Sequence, residues 1–98
     1  MVIKLKHIKV ITQLYGPSLY PKQLICLHLL RMKFGIRYVE KFFRVPYWRL
    51  INVLACVPIP IWTALQIHAL LDGEIPMAEI TPDWAEYHRH YLEILRKI

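Results

Sequence analysis

The sequence predicts an all-α protein with a single transmembrane helix, a basic amphipathic N-terminal helix, a short C-terminal helix and little independent core. The longest uncharged run, Ile51 to Leu71, would rise about 31 Å as a helix, close to the roughly 30 Å thickness of a bilayer's hydrocarbon region. Ten Lys or Arg and one acid precede this run, and three Lys or Arg and six acids follow its start. The chain is also 56% hydrophobic and 20% charged, which excludes intrinsic disorder.

Residues 1–21 form a basic N-terminal segment. Apolar and lysine positions alternate from Ile3 to Lys6, so the period leaves strand and helix both open. Gly16 and Pro17 then break the segment. No acid occurs before Glu40, which suits import toward a negative interior, and a secretory signal's uninterrupted apolar core is lacking. The sequence therefore indicates an uncleaved, internally targeted mitochondrial protein.

Residues 22–46 are predicted to form a basic amphipathic helix. Lys33, Arg37, Lys41 and Arg44 recur at helical steps, and Pro46 ends or bends the element. Such a helix next to a membrane span can lie at the interface, facing anionic lipid such as cardiolipin. A solvated charged face with the apolar side on a protein neighbour is equally compatible. Basic residues among aromatics also permit nucleic-acid binding, a weaker interpretation because no recognition motif accompanies them.

Residues 47–72 are predicted to be the transmembrane helix, and a buried core helix of a soluble protein is the alternative. Trp48 and Arg49 stand at its start, in the aromatic and cationic belt that is typical of a membrane interface. Because lysine and arginine concentrate before the span, the positive-inside rule predicts the N-terminus in the mitochondrial matrix and the C-terminus in the intermembrane space.

Two prolines and several polar residues make this span unusual. Pro58 and Pro60 each remove a backbone N–H and free the carbonyl four residues earlier, so that the helix needs a protein neighbour. The pattern leaves open whether they kink the span or break it. Gln66 and His68 are expected to face the same neighbour. A neutral His68 that hydrogen-bonds an adjacent helix is favoured over the alternative of a haem ligand.

Residues 73–98 are an acidic tail with a terminal helix. Thr81, Pro82 and Asp83 form a helix-start signal. Trp84, Tyr87 and Tyr91 then follow on one helical stripe. A helix this short is marginal alone in water, so the stripe is expected to dock on another subunit or on the membrane interface.

The sequence indicates no catalytic residues, no cofactor and no metal site. His88 and His90 are two residues apart and would point to opposite sides of a helix, whereas a structural zinc needs four convergent ligands. Cys26 and Cys56 lack the Cys-x-x-Cys context of a redox pair and are not expected to meet. The three glycines are scattered, so no phosphate-binding loop is predicted. We therefore expect a protein that is not an enzyme.

The C-terminal half resembles a known family. The shared features are Trp48-Arg49 before the uncharged run, proline within it, and the acidic tail with Asp83-Trp84-Ala85-Glu86-Tyr87, Tyr91-Leu92-Glu93-Ile94 and Arg96-Lys97. This layout is similar to cytochrome c oxidase subunit VIa, over Trp48 to Lys97. The chain has two prolines where that family has one, and it lacks the family's Arg-x-Lys-x-Phe-Pro-Trp-Gly motif. The resemblance implies an inner-membrane helix at the oxidase periphery, without catalytic residues.

These features together predict a non-catalytic accessory subunit of a mitochondrial inner-membrane respiratory complex, with cytochrome c oxidase as the first candidate. Accessory subunits of complex I or ATP synthase fit the same layout. A mitochondrial ribosomal or RNA-associated protein and a b-haem or quinone-handling membrane protein are the alternatives of other classes. The residues predicted to contact partner subunits or lipid are Lys33, Arg37, Lys41, Arg44, Trp48, Arg49, Pro58, Pro60, Gln66, His68, Trp84, Tyr87 and Tyr91.

Overall fold

The computed structural model describes residues 2–97, which hold seven helices and no strand. The predicted all-α class is therefore confirmed for this part of the chain. The helices are α1 (Leu5–Tyr15), α2 (Pro21–Phe34), α3 (Ile36–Phe43), α4 (Tyr47–Cys56), α5 (Ile61–Leu70), α6 (Met77–Ile80) and α7 (Trp84–Arg96).

The first helices begin and end at glycine and proline. Gly16, with φ +84°, closes α1, and Pro21 is the first residue of α2. Gly35 has φ +92°, a value that glycine adopts without the steric cost of a Cβ atom. The helix predicted over residues 22–46 is therefore two helices, α2 and α3, which meet at Gly35.

The predicted transmembrane helix over residues 47–72 is wrong. The uncharged run forms α4 and α5, ten residues each, and ten residues rise only about 15 Å. Between them Val57 and Pro60 have extended backbones, and Pro58 has no N–H with which to continue the helix. Among residues 2–97 no helix has both the length and the apolar composition that a bilayer crossing requires. The predicted single-pass topology is therefore wrong. The predicted placement of the two termini on opposite sides of a membrane assumed that span.

The break between α4 and α5 is held by a buried glutamine. Gln23 is 1% exposed, and its Nε2 donates to the carbonyl oxygens of Leu54 (2.9 Å) and Val57 (2.7 Å). Its Oε1 accepts the N–H of Ile59 at 2.6 Å. The Leu54 carbonyl is one that a proline at position 58 frees. The protein neighbour that the prolines require is therefore α2 of the same chain.

Thr81 completes the polar contacts of this break. Its Oγ1 donates to the carbonyl oxygen of Ile59 at 2.8 Å, and the side chain is 1% exposed. Ile59 thus has its N–H bound by Gln23 and its carbonyl bound by Thr81. Buried backbone groups that do not belong to a helix or sheet need such partners, so the two side chains make the non-helical segment compatible with the interior.

Helix α2 lies at the centre of the molecule and packs against α1, α3, α4, α5 and α6. The prediction of little independent core is wrong, because every helix except α7 contributes at least one buried side chain. The inner side chains of α2 belong to this core, so the protein neighbour that the sequence allowed for its apolar side lies within the same chain. The buried hydrophobic residues are Ile3, Ile11, Leu24, Ile25, Cys26, Leu27, Leu30, Val39, Tyr47, Leu50, Leu54, Ile59, Ala64, Ile67, Leu71, Ile75, Met77 and Ile80.

Candidate interaction surfaces

The predicted basic contact residues are exposed around α3. Arg37 and Lys41 lie one turn apart on α3, and Arg44 caps its C-terminus with φ +61°. Arg49 follows on α4, where its guanidinium carbon is 5.8 Å from the centre of the Trp48 ring. Within residues 2–97 none of these four cations lies within 4.0 Å of a carboxylate. We call Arg37, Lys41, Arg44 and Arg49 the cationic rim.

Lys33 has a different role from the one that the sequence predicts. Its Nζ donates to Asp72 Oδ2 at 2.5 Å and to the Leu70 carbonyl oxygen at 2.8 Å. These bonds join the last turn of α2 to the end of α5. Lys33 is therefore largely engaged within the chain, although its side chain is 38% exposed.

Glu40 is the one acid before Asp72, and it does not pair with the cationic rim. Its Oε2 accepts the backbone N–H of Tyr47 at 2.7 Å. This bond satisfies a donor at the first turn of α4, a place where a negative charge is favourable. Glu40 therefore forms no ion pair with the rim, although it lies on α3 itself and its charge offsets one of the cations there.

The outer sides of α4 and α5 are exposed and uncharged. Both helices pack on α2, and Trp48 and Trp62 are 65% and 74% exposed. No charged residue occurs between Arg49 and Asp72. We call the exposed side chains of this stretch the uncharged surface; they are Asn52, Val53, Cys56, Val57, Pro60, Trp62, Leu65, Gln66 and Ala69.

The residues predicted to contact a partner within the run are exposed or half-buried. Gln66 and Pro60 are exposed, and Pro58 is half-buried. His68 Nδ1 lies 2.6 Å from the carbonyl oxygen of Ile75, so this nitrogen carries the proton and donates. The hydrogen bond predicted for His68 was to an adjacent helix, whereas the bond observed links His68 to the turn that follows α5 in the same chain.

Helix α7 stands apart from the core. It packs on α6, and none of its residues is buried. Trp84 is half-buried against the core, and its ring stacks on His88 with 5.3 Å between ring centroids. Tyr87 and Tyr91 are about half exposed, as are Leu92, Ile94 and Leu95. At 100° per residue these apolar side chains lie on one half of the helix, opposite Arg89 and Glu93.

A cluster that the sequence analysis missed joins α1, α2 and α4. Tyr15 Oη lies 2.9 Å from Tyr47 Oη and 3.2 Å from His28 Nδ1, and the Arg31 guanidinium carbon is 5.2 Å from the centre of the Tyr47 ring. Burial and the hydrogen bond with Tyr15 raise the pKa of Tyr47 to about 12. A phenol with this pKa stays protonated at neutral pH. The Tyr47 hydroxyl therefore keeps its hydrogen bond with Tyr15, which links α1 to α4. These residues are far apart in the sequence, so no local motif predicts that they meet.

Two of the grooves that border α2 are largely apolar. One of about 330 Å³ is bordered by the Lys33–Asp72 ion pair. The other, of about 270 Å³, lies between α1 and α2 and is lined mainly by apolar side chains such as Val10, Leu14 and Ile25. In the described part of the chain, no three His, Cys, Asp or Glu side chains are grouped to hold a metal ion. The grooves offer apolar space rather than an assembled set of reacting groups.

The two cysteines are free and differ in exposure, as expected of residues that do not pair. Burial raises the pKa of Cys26 to about 12, with a smaller contribution from Glu79. Its thiolate fraction is then about a thousandfold below that of an ordinary thiol. We expect a thiol reagent to modify Cys56 of the native protein quickly and Cys26 only after unfolding.

A Cys56→Ser variant supplies the control for this measurement. Cys56 is exposed, so the variant should fold and should be almost unreactive until denaturant is added. If the native variant reacted as fast as the unfolded chain, the buried position of Cys26 would be wrong.

Comparison with protein-family models, with curated proteins and with solved structures finds no match to this chain. The resemblance to cytochrome c oxidase subunit VIa therefore depends on the residues between Trp48 and Lys97 alone. The surfaces described above are the observations from which a function can be argued.

Proposed function

We propose that this protein is a non-catalytic accessory subunit of a mitochondrial respiratory complex and that it joins the complex through α7. The observation that carries the proposal is the apolar half of α7, which contacts little of its own chain. A partner subunit with an apolar groove would receive this half by the helix-in-groove mode of recognition. Cytochrome c oxidase is the first complex to examine, because the resemblance includes the α7 residues Trp84 to Tyr91.

The energetics support a docking role for α7. Five of its apolar side chains are 40–58% exposed: Tyr87, Tyr91, Leu92, Ile94 and Leu95. Burying the exposed part of these side chains in a partner would contribute about 5 kcal/mol to the free energy of binding, before the cost of association. A helix of thirteen residues is marginal by itself in water. A partner therefore supplies the packing that this chain does not give to α7.

The N-terminal half supports the mitochondrial setting. It carries a net +9 up to Leu50, and no acid precedes Glu40, a charge pattern that suits import toward a negative interior. The polar groups of the core, Gln23 and Thr81, are occupied by backbone bonds. They have a structural role, which agrees with a subunit that packs rather than catalyses.

The test is assembly of the tagged full chain in its own cells. After extraction of mitochondria in mild detergent, native-gel separation and mass spectrometry identify the subunits that co-migrate with it. Tyr91→Ser with Leu95→Ser should release the chain from the complex, because both changes lie on the apolar half of α7. Arg89→Ser with Glu93→Ser, on the opposite half and without change of net charge, should leave assembly intact.

Two outcomes would contradict the proposal. Equal co-migration of both double variants would mean that the apolar half of α7 carries no partner. Dispersal of the assembly by nuclease would indicate an RNA-associated protein. Since α7 buries none of its residues, both variants should keep the fold, and their circular dichroism checks this.

A further inference from the structure

The uncharged surface belongs neither to α7 nor to the core. Helices α4 and α5 turn Leu50, Leu54, Ala64 and Ile67 inward. Trp62, Leu65 and their neighbours therefore lie on the sides away from α2. Trp62 is 74% exposed, an unusual position for so large an apolar side chain. Extended apolar surface of this kind marks a contact site.

The charge next to α4 is net positive, whereas Asp72 follows the end of α5 and is paired with Lys33. Trp48 and Arg49 lie in the first turn of α4. Helix α3, which carries Arg37 and Lys41, packs against α4. None of the cationic rim forms an ion pair within residues 2–97, and Glu40 is bound to the Tyr47 N–H. An occupant of the exposed side of α4 therefore meets a border of net positive charge.

We propose that the uncharged surface and the cationic rim together seat the protein on a lipid surface that contains anionic phospholipid. Exposed tryptophans such as Trp48 and Trp62 favour the headgroup level of a bilayer, where an amphipathic ring has one apolar and one wet side. Arginine and lysine at the border bind phosphate groups of the lipids. The apolar side chains of α4 and α5 enter the boundary of the acyl region, as interfacial helices do.

A nucleic acid fits these observations less well. It would use the cationic rim and the stacked rings of Phe34 and Tyr38, whose centroids are 4.5 Å apart. It would leave Trp62, Leu65 and Val53 without a partner, because no cation accompanies them between Arg49 and Asp72 to bind phosphate. Anionic lipid matches both the charge of the rim and the apolar character of the surface, whereas nucleic acid matches the rim alone.

Vesicle flotation tests this proposal on the full chain. Vesicles of phosphatidylcholine alone are compared with vesicles that also contain phosphatidylglycerol. We expect binding to the anionic vesicles only, and we expect added salt to weaken it. Arg37→Gln with Lys41→Gln should lower the partition coefficient about 30-fold. Lys6→Gln with Lys9→Gln on α1 removes the same net charge and should change it less than about threefold.

A second pair of variants tests the apolar contact. Trp62→Gln should lower the partition coefficient about tenfold, because it removes a large apolar side chain from the contact. Met32→Gln is the matched control, since Met32 is 72% exposed but lies on α2. The α7 variant Tyr91→Ser with Leu95→Ser should bind vesicles like the native chain, so failure of the assembly experiment and failure of lipid binding can be told apart.

Four results would overturn the proposal. Absence of binding to anionic vesicles is the simplest. Equal losses in the Arg37 and Lys6 double variants would mean that net charge alone drives binding. An unchanged partition coefficient in Trp62→Gln would mean that the uncharged surface does not enter the lipid. Tighter binding to a single-stranded oligonucleotide that competes with vesicles, unaffected by Trp62→Gln, would assign the rim to nucleic acid.

Discussion

Replacement of Gln23 with leucine should lower the free energy of unfolding by about 3 kcal/mol. The leucine fills nearly the same volume but makes none of the three hydrogen bonds that the amide forms with Leu54, Val57 and Ile59. A buried backbone group that loses its partner costs about 1–3 kcal/mol. Because Val57 is half exposed, water can replace part of the loss there, and the expected total stays below the sum of three full penalties.

Urea denaturation followed by circular dichroism measures this effect. A loss of about 3 kcal/mol corresponds to a fall of roughly 12–24 °C in Tm for a domain of this size. Gln66→Leu is the matched control, because Gln66 is an exposed glutamine on α5 and should change stability by less than about 0.5 kcal/mol. If the two leucine variants were equally stable, Gln23 would not be what holds the break between α4 and α5.

Local sequence signals predicted some parts of this fold well. Pro21 begins α2. Helix α7 begins at Trp84 with Asp83 as its N-cap, two residues after the start that Thr81 and Pro82 predict, and the Thr81 hydroxyl binds the Ile59 carbonyl instead of capping α7. These features depend on neighbours in the chain: a proline suits the first turn of a helix because its missing N–H would be unpaired there. The same kind of signal left open whether Pro58 and Pro60 kink or break a helix.

The break is decided by residues far away in sequence. Gln23 lies 31 to 36 positions from the groups that it binds, and Thr81 lies 22 positions from Ile59. No periodicity records such contacts. A run without charges is expected both of a membrane span and of two short helices with one side in a core. Length and composition alone therefore could not distinguish the two.

The sequence predicted some side chains of the candidate surfaces and not others, because contacts between residues far apart in the chain leave no local pattern. Arg37, Lys41 and Arg44 were expected on one helix face, and they are exposed because α3 turns Val39 inward. Lys33 was placed in the same group, but its partner Asp72 is 39 positions away. His68 was expected to bind another chain and binds the Ile75 carbonyl instead. Helix periodicity can say which side chains share a face but not what lies opposite them.

Replacement of Leu27 with alanine should lower the free energy of unfolding by about 3 kcal/mol, within the 2–5 kcal/mol range of buried leucine truncations. Leu27 is 1% exposed on α2, the helix that packs against five others. The truncation removes apolar contacts and leaves a cavity that the surrounding helices fill only in part. The variant therefore distinguishes a central α2 from the interfacial helix that the sequence predicted over residues 22–46.

Leu19→Ala is the control for this experiment, because Leu19 is 74% exposed just before α2 and should change stability by less than about 0.5 kcal/mol. Both variants are measured in aqueous buffer without lipid or partner. If α2 were a surface helix that needs a membrane for its apolar side, the two truncations would cost about the same in that buffer. A large loss for Leu27→Ala alone requires that α2 already has its apolar neighbours within the chain, which makes the break at Pro58 a part of the core rather than a defect in a span.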